Sequence, residues 1–317
     1  MKIKKIISFF ICCYVFALCA FADELDQKIR IGILNGPSCV PCANLIGDNN
    51  YSFSRYADPQ ALLPKMIKNE VDVGFLPVNV AAKVYNSSNQ KIIVCAVTGN
   101  GNLKLLSRNK NLKRLSDLNT STVFVAGRGA TPEYMFKYLL NKNNMDYETK
   151  NGVNFDFSVP PAQLPAMLIS GKIDYAVLPE PFVTIALMKS KDVYEAVDFQ
   201  KEYKYFSNAE VYPLTVMVVR SDYASEHQQE LEALFADYEK ALKATLKNPK
   251  KTGKLCEQHE LGLTAEVVTV AIPKSNYIFV PANKAVGDIE RLLNIFLENE
   301  PSSIGEKLPD AGFYYNY

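Results

Sequence analysis

The chain has 317 residues, of which 48% are hydrophobic and 22% charged, and its formal net charge is +1. This composition is typical of a globular protein of one large domain or two ordinary ones, and it excludes a disordered or fibrous chain. A near-neutral charge argues against a broad basic face for nucleic acid. The two histidines, His227 and His259, leave little for a multi-histidine metal site. We therefore expect neither nucleic-acid binding nor a bound metal.

Residues 1–22 have the layout of a secretory signal peptide. Three lysines precede an apolar run over 6–20, and Ala20-Phe21-Ala22 provides a small-x-small cleavage site. The run is short for a membrane-spanning helix, which disfavours an uncleaved anchor. Cys19 suggests a lipid anchor instead, but Leu18 stands where a lipoprotein signal carries a small residue. We expect export to the periplasm or to the outer face of the cytoplasmic membrane.

Cleavage after residue 22 would change both the charge and the cysteine content. It removes three lysines and no acidic residue, which leaves 32 basic and 34 acidic side chains and a net charge of −2. Three of the seven cysteines also leave, so that Cys39, Cys42, Cys95 and Cys256 remain.

The rest of the chain predicts strands that alternate with helices. Apolar segments rich in branched residues predict strands, and apolar residues at helical spacing predict helices. The predicted strands cover 29–34, 71–76, 91–97, 103–106, 122–126, 173–178 and 214–219. The predicted helices cover 39–47, 59–69, 132–141, 162–170, 228–246 and 287–298.

A weak internal repeat divides this pattern into two units. Residues 63–77 read LPKMIKNEVDVGFLP, and residues 164–179, about 100 positions later, read LPAMLISGKIDYAVLP. Each unit has the order strand, glycine turn, helix, strand, helix, strand. Such alternation predicts a mostly parallel sheet covered by helices on both faces. The sequence thus predicts an α/β protein with two similar lobes.

The segments that flank the second unit predict how the lobes are connected. The simplest topology inserts lobe II into lobe I, with 103–106 and 214–219 as the two crossover segments. After a signal peptide over 1–22, the predicted boundaries are 23–103 for the first part of lobe I, 104–216 for lobe II, and 217–317 for the mainly helical completion of lobe I.

The turns at the carboxyl ends of the predicted strands are the candidate ligand site. Ligands of open parallel sheets bind at these ends, and helix N-termini there offer backbone N–H groups to anionic or strongly accepting ligands. The candidate ligand-binding residues are Asn35, Gly36, Pro37, Ser38, Asn79, Thr98, Arg128, Gly129, Ala130, Thr131, Glu180 and Thr215. Each of these residues could instead be only part of a turn or a helix cap.

Cys39-Val40-Pro41-Cys42 is the strongest sign of an enzyme. It follows a predicted strand and opens a predicted helix, as in thioredoxin, and a helix N-terminus lowers a thiol pKa. The alternatives are a structural disulfide between Cys39 and Cys42, or two small side chains near the cleft. A thioredoxin domain is shorter and has no duplicated unit, which disfavours redox catalysis. Cys95 lies in an apolar strand and is expected in the core, and Cys256 has no assignable partner.

Motifs of other enzyme classes are missing from the sequence. It contains no Walker motif, no Gly-x-Ser-x-Gly and no His-Glu-x-x-His. Gly127-Arg128-Gly129 lacks the third glycine of a dinucleotide fingerprint, because Pro132 stands at that position. We therefore expect no catalytic residue and no cofactor.

Five segments carry a resemblance to a known family. They are GPS at 36–38, VDVGFLPVNVAA at 71–82, GRGATPEYMFKYLL at 127–140, GKIDYAVLPEPFVTIAL at 171–187 and GEKLPDAGFYY at 305–315. In these the chain resembles bacterial ABC-transporter substrate-binding proteins of the nitrate/sulfonate/taurine and thiamine-precursor type. The resemblance implies a type II periplasmic-binding-protein fold, a small-molecule ligand in the interlobe cleft, and an ABC permease and ATPase as partners. The Cys-x-x-Cys is not expected of this family.

The sequence therefore predicts an extracytoplasmic solute-binding protein of an ABC importer, which captures a small organic or oxyanion-bearing solute by hinge closure. If Glu180 and Arg128 both face the cleft, a ligand with both an amine or ring N–H and an anionic group fits best. We expect a monomer that contacts the membrane only through its permease. The alternatives are an enzyme on the same fold that uses Glu180 or Cys39, and a thiol redox protein that uses Cys39 and Cys42.

Overall fold

The computed structural model describes residues 28–118, 120–149 and 151–316. The predicted signal peptide with Cys19 lies outside these residues. Within them, no helix is both long enough and apolar enough to cross a membrane.

Eleven strands of the described residues form two sheets, one in each lobe. They are β1 Ile29–Leu34, β2 Tyr51–Tyr56, β3 Val73–Pro77, β4 Ile92–Asn100, β5 Lys104–Ser107, β6 Thr122–Val125, β7 Asn154–Asp156, β8 Tyr175–Leu178, β9 Tyr194–Asp198, β10 Pro213–Arg220 and β11 Tyr277–Pro281. The sheet of lobe I has the order β11-β4-β10-β3-β1-β2, and that of lobe II has the order β7-β6-β8-β5-β9. The predicted two-lobed α/β fold is confirmed.

Helices flank both sheets. They are α1 Cys39–Cys42, α2 Pro59–Ile67, α3 Val78–Ser87, α4 Thr131–Lys142, α5 Leu164–Ile169, α6 Phe182–Lys189, α7 Phe199–Ser207, α8 Ser221–Glu226, α9 Gln228–Lys247, α10 Pro249–Gln258, α11 Ala265–Ala271 and α12 Ala282–Asn299. The helix predicted over 39–47 is a single turn, because turns follow directly after Cys42.

The strands of each sheet mostly share one direction, and a crossover strand runs against them. In lobe I, β10 lies antiparallel between β3 and β4, whereas β1 pairs in parallel with β2 and β3. In lobe II, β5 is antiparallel to both β8 and β9. The predicted crossover segments are therefore these antiparallel strands. All of β10 belongs to the lobe I sheet, so this strand spans the predicted boundary at 216, and the lobe boundaries stay a prediction.

Close packing on β1 positions α2. Gly32 faces this helix so closely that an added Cβ would overlap the Leu62 side chain. The start of α2 is defined by Asp58, whose Oδ1 accepts from the N–H of Ala61 at 2.9 Å, and by Pro59 in the first helical position. Asp58 and Pro59 therefore mark the point at which the loop after β2 ends and α2 begins.

A buried ion cluster joins three strands of lobe I. Asp72 is only 1% exposed and accepts from Arg30 Nε at 2.8 Å and Nη2 at 2.5 Å. Arg220, at the end of β10, lies 3.3 Å from the same carboxylate. A carboxylate buried this deeply needs both cations, so the cluster links β1, β3 and β10.

One continuous apolar core joins the lobes on one side. Val123, Met135 and Phe136 of lobe II belong to the same cluster of buried residues as Leu62, Ile289 and Phe296 of lobe I. In it, α4 packs on α12, and the rings of Tyr134 and Phe296 lie 5.8 Å apart.

The last residues of the chain complete the lobe I sheet. Strand β11 pairs with one part of β4, and Tyr314 forms a bridge with Val94 in another part of the same strand. The N–H of Tyr315 donates to the carbonyl of Val94 at 2.8 Å.

Candidate ligand-binding cleft

A cavity of about 190 Å³ lies between the lobes. Its walls come from the carboxyl ends of β1, β2 and β3 in lobe I and from the loops after β6, β7 and β8 in lobe II. The start of β10 closes the cavity with Leu214 and Thr215. This is the place at which open α/β sheets bind their ligands.

The walls of the cavity are mainly apolar. Phe75 from lobe I and Phe182 from lobe II provide aromatic surface. Seven prolines line the rest of it: Pro37, Pro59, Pro77, Pro132, Pro160, Pro161 and Pro179. The polar lining side chains are those of Asn35, Ser38, Asp58 and Thr215, and no described Lys, Arg or His is part of the lining.

Five of the twelve predicted ligand-binding residues line this cavity: Asn35, Pro37, Ser38, Ala130 and Thr215. Thr98 lies beside them, in a recess of about 10 Å³ that it shares with Ser38 and Thr215. Ser38 also has a structural role, because its hydroxyl accepts from the N–H of Leu34 at 3.1 Å. The side chains of Asn35 and Thr215 have no hydrogen-bond partner among the described residues, so they can turn to a ligand.

Asn79, Gly129 and Thr131 form a contact between the lobes and do not line the cavity. Asn79 is fully buried, and its Nδ2 donates to the carbonyls of Gly129 at 3.0 Å and Ser303 at 3.2 Å. Its Oδ1 accepts from the hydroxyl of Thr131 at 3.0 Å. Since Asn79 belongs to α3 of lobe I and Thr131 opens α4 of lobe II, this side chain holds the lobes together.

Arg128 and Glu180 do not face the cavity together. Arg128 is exposed, and its guanidinium lies 4.9 Å from the ring centroid of Phe157. Glu180 is 1% exposed, and its Oε2 accepts from the N–H of Thr184 at 3.0 Å. Burial raises the pKa of Glu180. The expectation that both charges meet one ligand has no support in this geometry.

Gly36 allows close contact between the lobes. It has φ of +117°, and a Cβ added there would lie 3.4 Å from the Phe182 ring. This glycine therefore lets the first turn of lobe I approach α6 of lobe II.

A family assignment comes from comparison with known proteins. The model of the NMT1-like family matches residues 52–257, more than half of the chain. The chain belongs to the NMT1-like family. Among curated proteins, no sequence matches.

Solved structures share the fold of this NMT1-like chain. An ABC transporter protein from Parabacteroides distasonis has a TM-score of 0.74 at 24% identity, and the match covers 92% of this chain and 99% of that one. The aliphatic sulphonate-binding protein SsuA from Escherichia coli has a TM-score of 0.70 at 15% identity and 92% coverage of both chains. The nitrate-binding protein NrtA from Synechocystis PCC 6803 has a TM-score of 0.61 at 14% identity, and the match covers 77% of this chain and 69% of that one. The predicted type II periplasmic-binding-protein fold is confirmed.

The Cys-x-x-Cys of this NMT1-like chain is buried, and its two thiols are not bonded to each other. Cys39 and Cys42 are free thiols at 0% and 1% exposure, so the disulfide considered between them is not formed. The Cys39 Sγ donates to the carbonyl of Gly36 at 3.0 Å. Burial raises the pKa of Cys39 to about 11 and also raises that of Cys42. The expected lowering by a helix N-terminus is wrong here, because desolvation outweighs the dipole of a one-turn helix.

The other two cysteines in the described part of the NMT1-like chain are buried as well. Cys95 lies in the core, as its apolar strand predicts. Cys256 is 0% exposed in the same apolar cluster as Cys39 and Cys42, where α10 packs on α1. The four cysteines are therefore core residues of lobe I, and the geometry gives no support to a thiol redox site.

Several lining residues were missed by the sequence-based prediction. Phe75 and Phe182 look like ordinary core residues in the sequence, and Asp58 looks like a helix cap only. Prolines in the loops after the strands are a signal that could have found these residues. Pro59, Pro77, Pro160, Pro161 and Pro179 all mark strand ends that reach the cavity.

Proposed function

We propose that this protein is the extracytoplasmic solute-binding component of an ABC importer and captures a small solute between its lobes. The observation that carries the proposal is the cavity itself, which is built from strand ends of both lobes. A ligand there contacts both lobes at once and stabilises the closed arrangement.

Similarity to transport proteins supports this function. Solved structures with the same fold include a sulphonate-binding and a nitrate-binding protein, and one is a ligand-binding component of an ABC-type import system from Staphylococcus aureus. Capture and release need no covalent chemistry, and the buried thiols and the buried Glu180 do not offer a reactive group to the cavity. The protein then delivers its solute, as a monomer, to a permease and an ATPase.

The location follows from the N-terminal sequence. A basic start, an apolar run and Ala20-Phe21-Ala22 support cleavage after residue 22 and export. The mature protein would work in the periplasm or on the outer face of the cytoplasmic membrane, where an importer receives its solute. The lobes would be 23–103 with 217–317, and 104–216.

Native mass spectrometry of the protein purified from its own cells tests the function. We expect a small molecule to co-purify, and small-angle scattering to show a larger radius of gyration after its removal and a smaller one after its return. The variant Ala162→Trp places an indole in the cavity from an exposed lining position and should prevent binding. Gln163→Trp, the next position and not part of the lining, is the matched control and should bind normally. Absence of a bound solute, or equal binding by both variants, would contradict the proposal.

A further inference from the structure

The helix starts around the cavity already carry carboxylates of the chain itself. At α2, Asp58 accepts from the N–H of Ala61 at 2.9 Å. Before α4, Glu133 Oε2 accepts from the N–H of Gly129 at 2.7 Å. Helix termini bind anions through such N–H groups and the positive dipole end. Of these carboxylates Asp58 lines the cavity, so an oxyanion entering there would have to compete with it.

At a third helix start near the cavity, a carboxylate of the chain also accepts from a backbone N–H. At α6, Glu180 Oε2 accepts from the N–H of Thr184 at 3.0 Å. Asp58 and Glu180 thus each accept from one first-turn N–H, in α2 and α6, whereas Glu133 accepts from the N–H of Gly129, which precedes α4. The sequence-based expectation was that these helix starts favour anionic or strongly accepting ligands, and the chain's own acidic residues oppose the anionic choice.

Prolines remove further donors from the same loops. Pro59 and Pro132 stand at the first positions of α2 and α4, and Pro161 opens the short turn before α5. Proline has no N–H, so each of these positions offers a ring surface and no backbone donor to a ligand.

Two basic side chains of this region, Lys137 and Lys104, are paired with carboxylates, and Arg128 lies over the Phe157 ring outside the lining. Lys137 lies 3.1 Å from Glu133 and 3.0 Å from Glu300. Lys104, which begins the crossover strand β5, lies 2.5 Å from Asp198. With no Lys, Arg or His among the described lining residues, the carboxylate of Asp58 is the one formal charge on the cavity wall. An anion placed there would meet repulsion and no counter-charge.

The size and surface of the cavity indicate what fits instead. A cavity of about 150 Å³ with apolar walls is enough for benzene, so the 190 Å³ here admits one or two fused rings. Phe75 and Phe182 supply aromatic faces from the two lobes, and Asn35 and Thr215 supply a polar edge.

We propose that the cleft selects an uncharged, largely apolar solute of one or two fused rings with a single polar edge, and rejects sulfonates and other oxyanions. This selectivity, which rests on the proposed function, results from the Asp58 carboxylate, from the prolines of the lining and from a lining without a described Lys, Arg or His. The protein therefore shares the fold of sulphonate- and nitrate-binding proteins but takes a different chemical class of ligand.

Two probes with the same ring system test the selectivity. We expect calorimetry at neutral pH to show that 2-naphthol, which is uncharged, binds at least about tenfold more tightly than naphthalene-2-sulfonate, which has the same rings and a charge. Equal or tighter binding of the sulfonate overturns the proposal, and so does the failure of both probes to bind.

A variant that removes the Asp58 charge tests the cause of the selectivity. Asp58→Asn keeps a helix-capping oxygen and removes the charge, so the ratio of naphthol affinity to sulfonate affinity should fall about fivefold. Glu70→Gln, an exposed carboxyl beyond the far end of α2, is the control and should leave this ratio unchanged. An unchanged ratio in Asp58→Asn overturns the stated cause. If the solute that co-purifies with the protein is an anion, the selectivity is wrong and the binding function stands; if no solute binds at all, the binding function itself fails.

Discussion

The substitution Asn79→Ala should loosen the contact between the lobes. In the structure this fully buried side chain makes three hydrogen bonds, to Gly129, Thr131 and Ser303. A hydrogen bond contributes about 1 kcal/mol net, so the loss is about 3 kcal/mol, of which about 2 kcal/mol concerns the two bonds to lobe II. If the lobes can separate, water satisfies the polar groups that become exposed. The ratio of closed to open molecules would then fall by about thirtyfold in the variant.

The same helix provides a matched control. Asn86 lies two turns after Asn79 on α3, and its Nδ2 donates to the carbonyls of Ile304 and Lys307, both in the C-terminal part of lobe I. Asn86→Ala therefore weakens the attachment of the C-terminal segment without affecting a bond between the lobes. Thr131→Val removes only one of the interlobe bonds and should have an intermediate effect.

Small-angle scattering and urea unfolding measure these effects. We expect the radius of gyration of the solute-free protein to increase for Asn79→Ala, to increase less for Thr131→Val, and to stay unchanged for Asn86→Ala. The free energy of unfolding should fall for all three. If Asn79→Ala and Asn86→Ala have the same radius of gyration and the same loss of stability, Asn79 has only a local structural role and our reasoning on closure is refuted.

Three further variants or treatments test other parts of the structure. Asp72→Ala leaves Arg30 and Arg220 without their shared carboxylate and should lower the free energy of unfolding in urea by about 3 kcal/mol. Asp222→Ala, which removes an exposed partner of Arg220, is the control and should lower it by less than about 1 kcal/mol. A similar loss of stability in the two variants would contradict this account. Burial raises the pKa of Glu180, so the folded state holds this proton more tightly than the unfolded state, and stability should fall as pH rises from the usual glutamate range through the raised value. Glu180→Gln keeps an acceptor for Thr184 and cannot ionise, so its unfolding free energy should fall less than that of the wild type between about pH 4 and about pH 8; parallel curves would show that Glu180 is not the cause. Cys39 and Cys42 are buried with raised pKa values and should not react with iodoacetamide until urea unfolds the protein, as peptide mass spectrometry would show; fast labelling of the native protein would restore the redox hypothesis.

Local sequence patterns predicted much of the fold. Strand β1 was predicted with its observed bounds, since six mostly apolar residues lie between a charged segment and a glycine turn. The crossover strands were found as apolar segments on either side of the second repeat. Helix α1 was predicted too long, because apolar residues continue to Ile46 while the chain has already turned. Tertiary contacts hold this turn, since Asn44 donates to Thr245 and Thr252, both on later helices.

The candidate site was harder to predict because polar residues at strand ends have two possible roles. Topology placed the cleft at the carboxyl ends of the strands, and the cavity lies there. The sequence could not tell that Asn79 and Thr131 bond to each other, since they are separated by 52 positions. Nor could it tell that Glu180 turns inward to its own helix. The aromatic and proline lining looks like core and turn residues until the two lobes are placed face to face.

The completion of β4 by the last residues of the chain has a consequence for how the protein is made. The strands of lobe II lie in one continuous stretch, from Lys104 to Asp198, and can pair as soon as that stretch has been synthesised. Lobe I contains the earliest strand, yet it needs Tyr277–Pro281 and the bridge from Tyr314 to Val94 to cover β4. Domains that are continuous in sequence usually fold as units while the chain grows. Here the inserted lobe has all of its strands before residue 200, whereas the sheet of lobe I stays incomplete until residues 277–315 are present. Loss of the residues from 277 onward would therefore uncover β4, a lobe I strand that precedes lobe II in the chain.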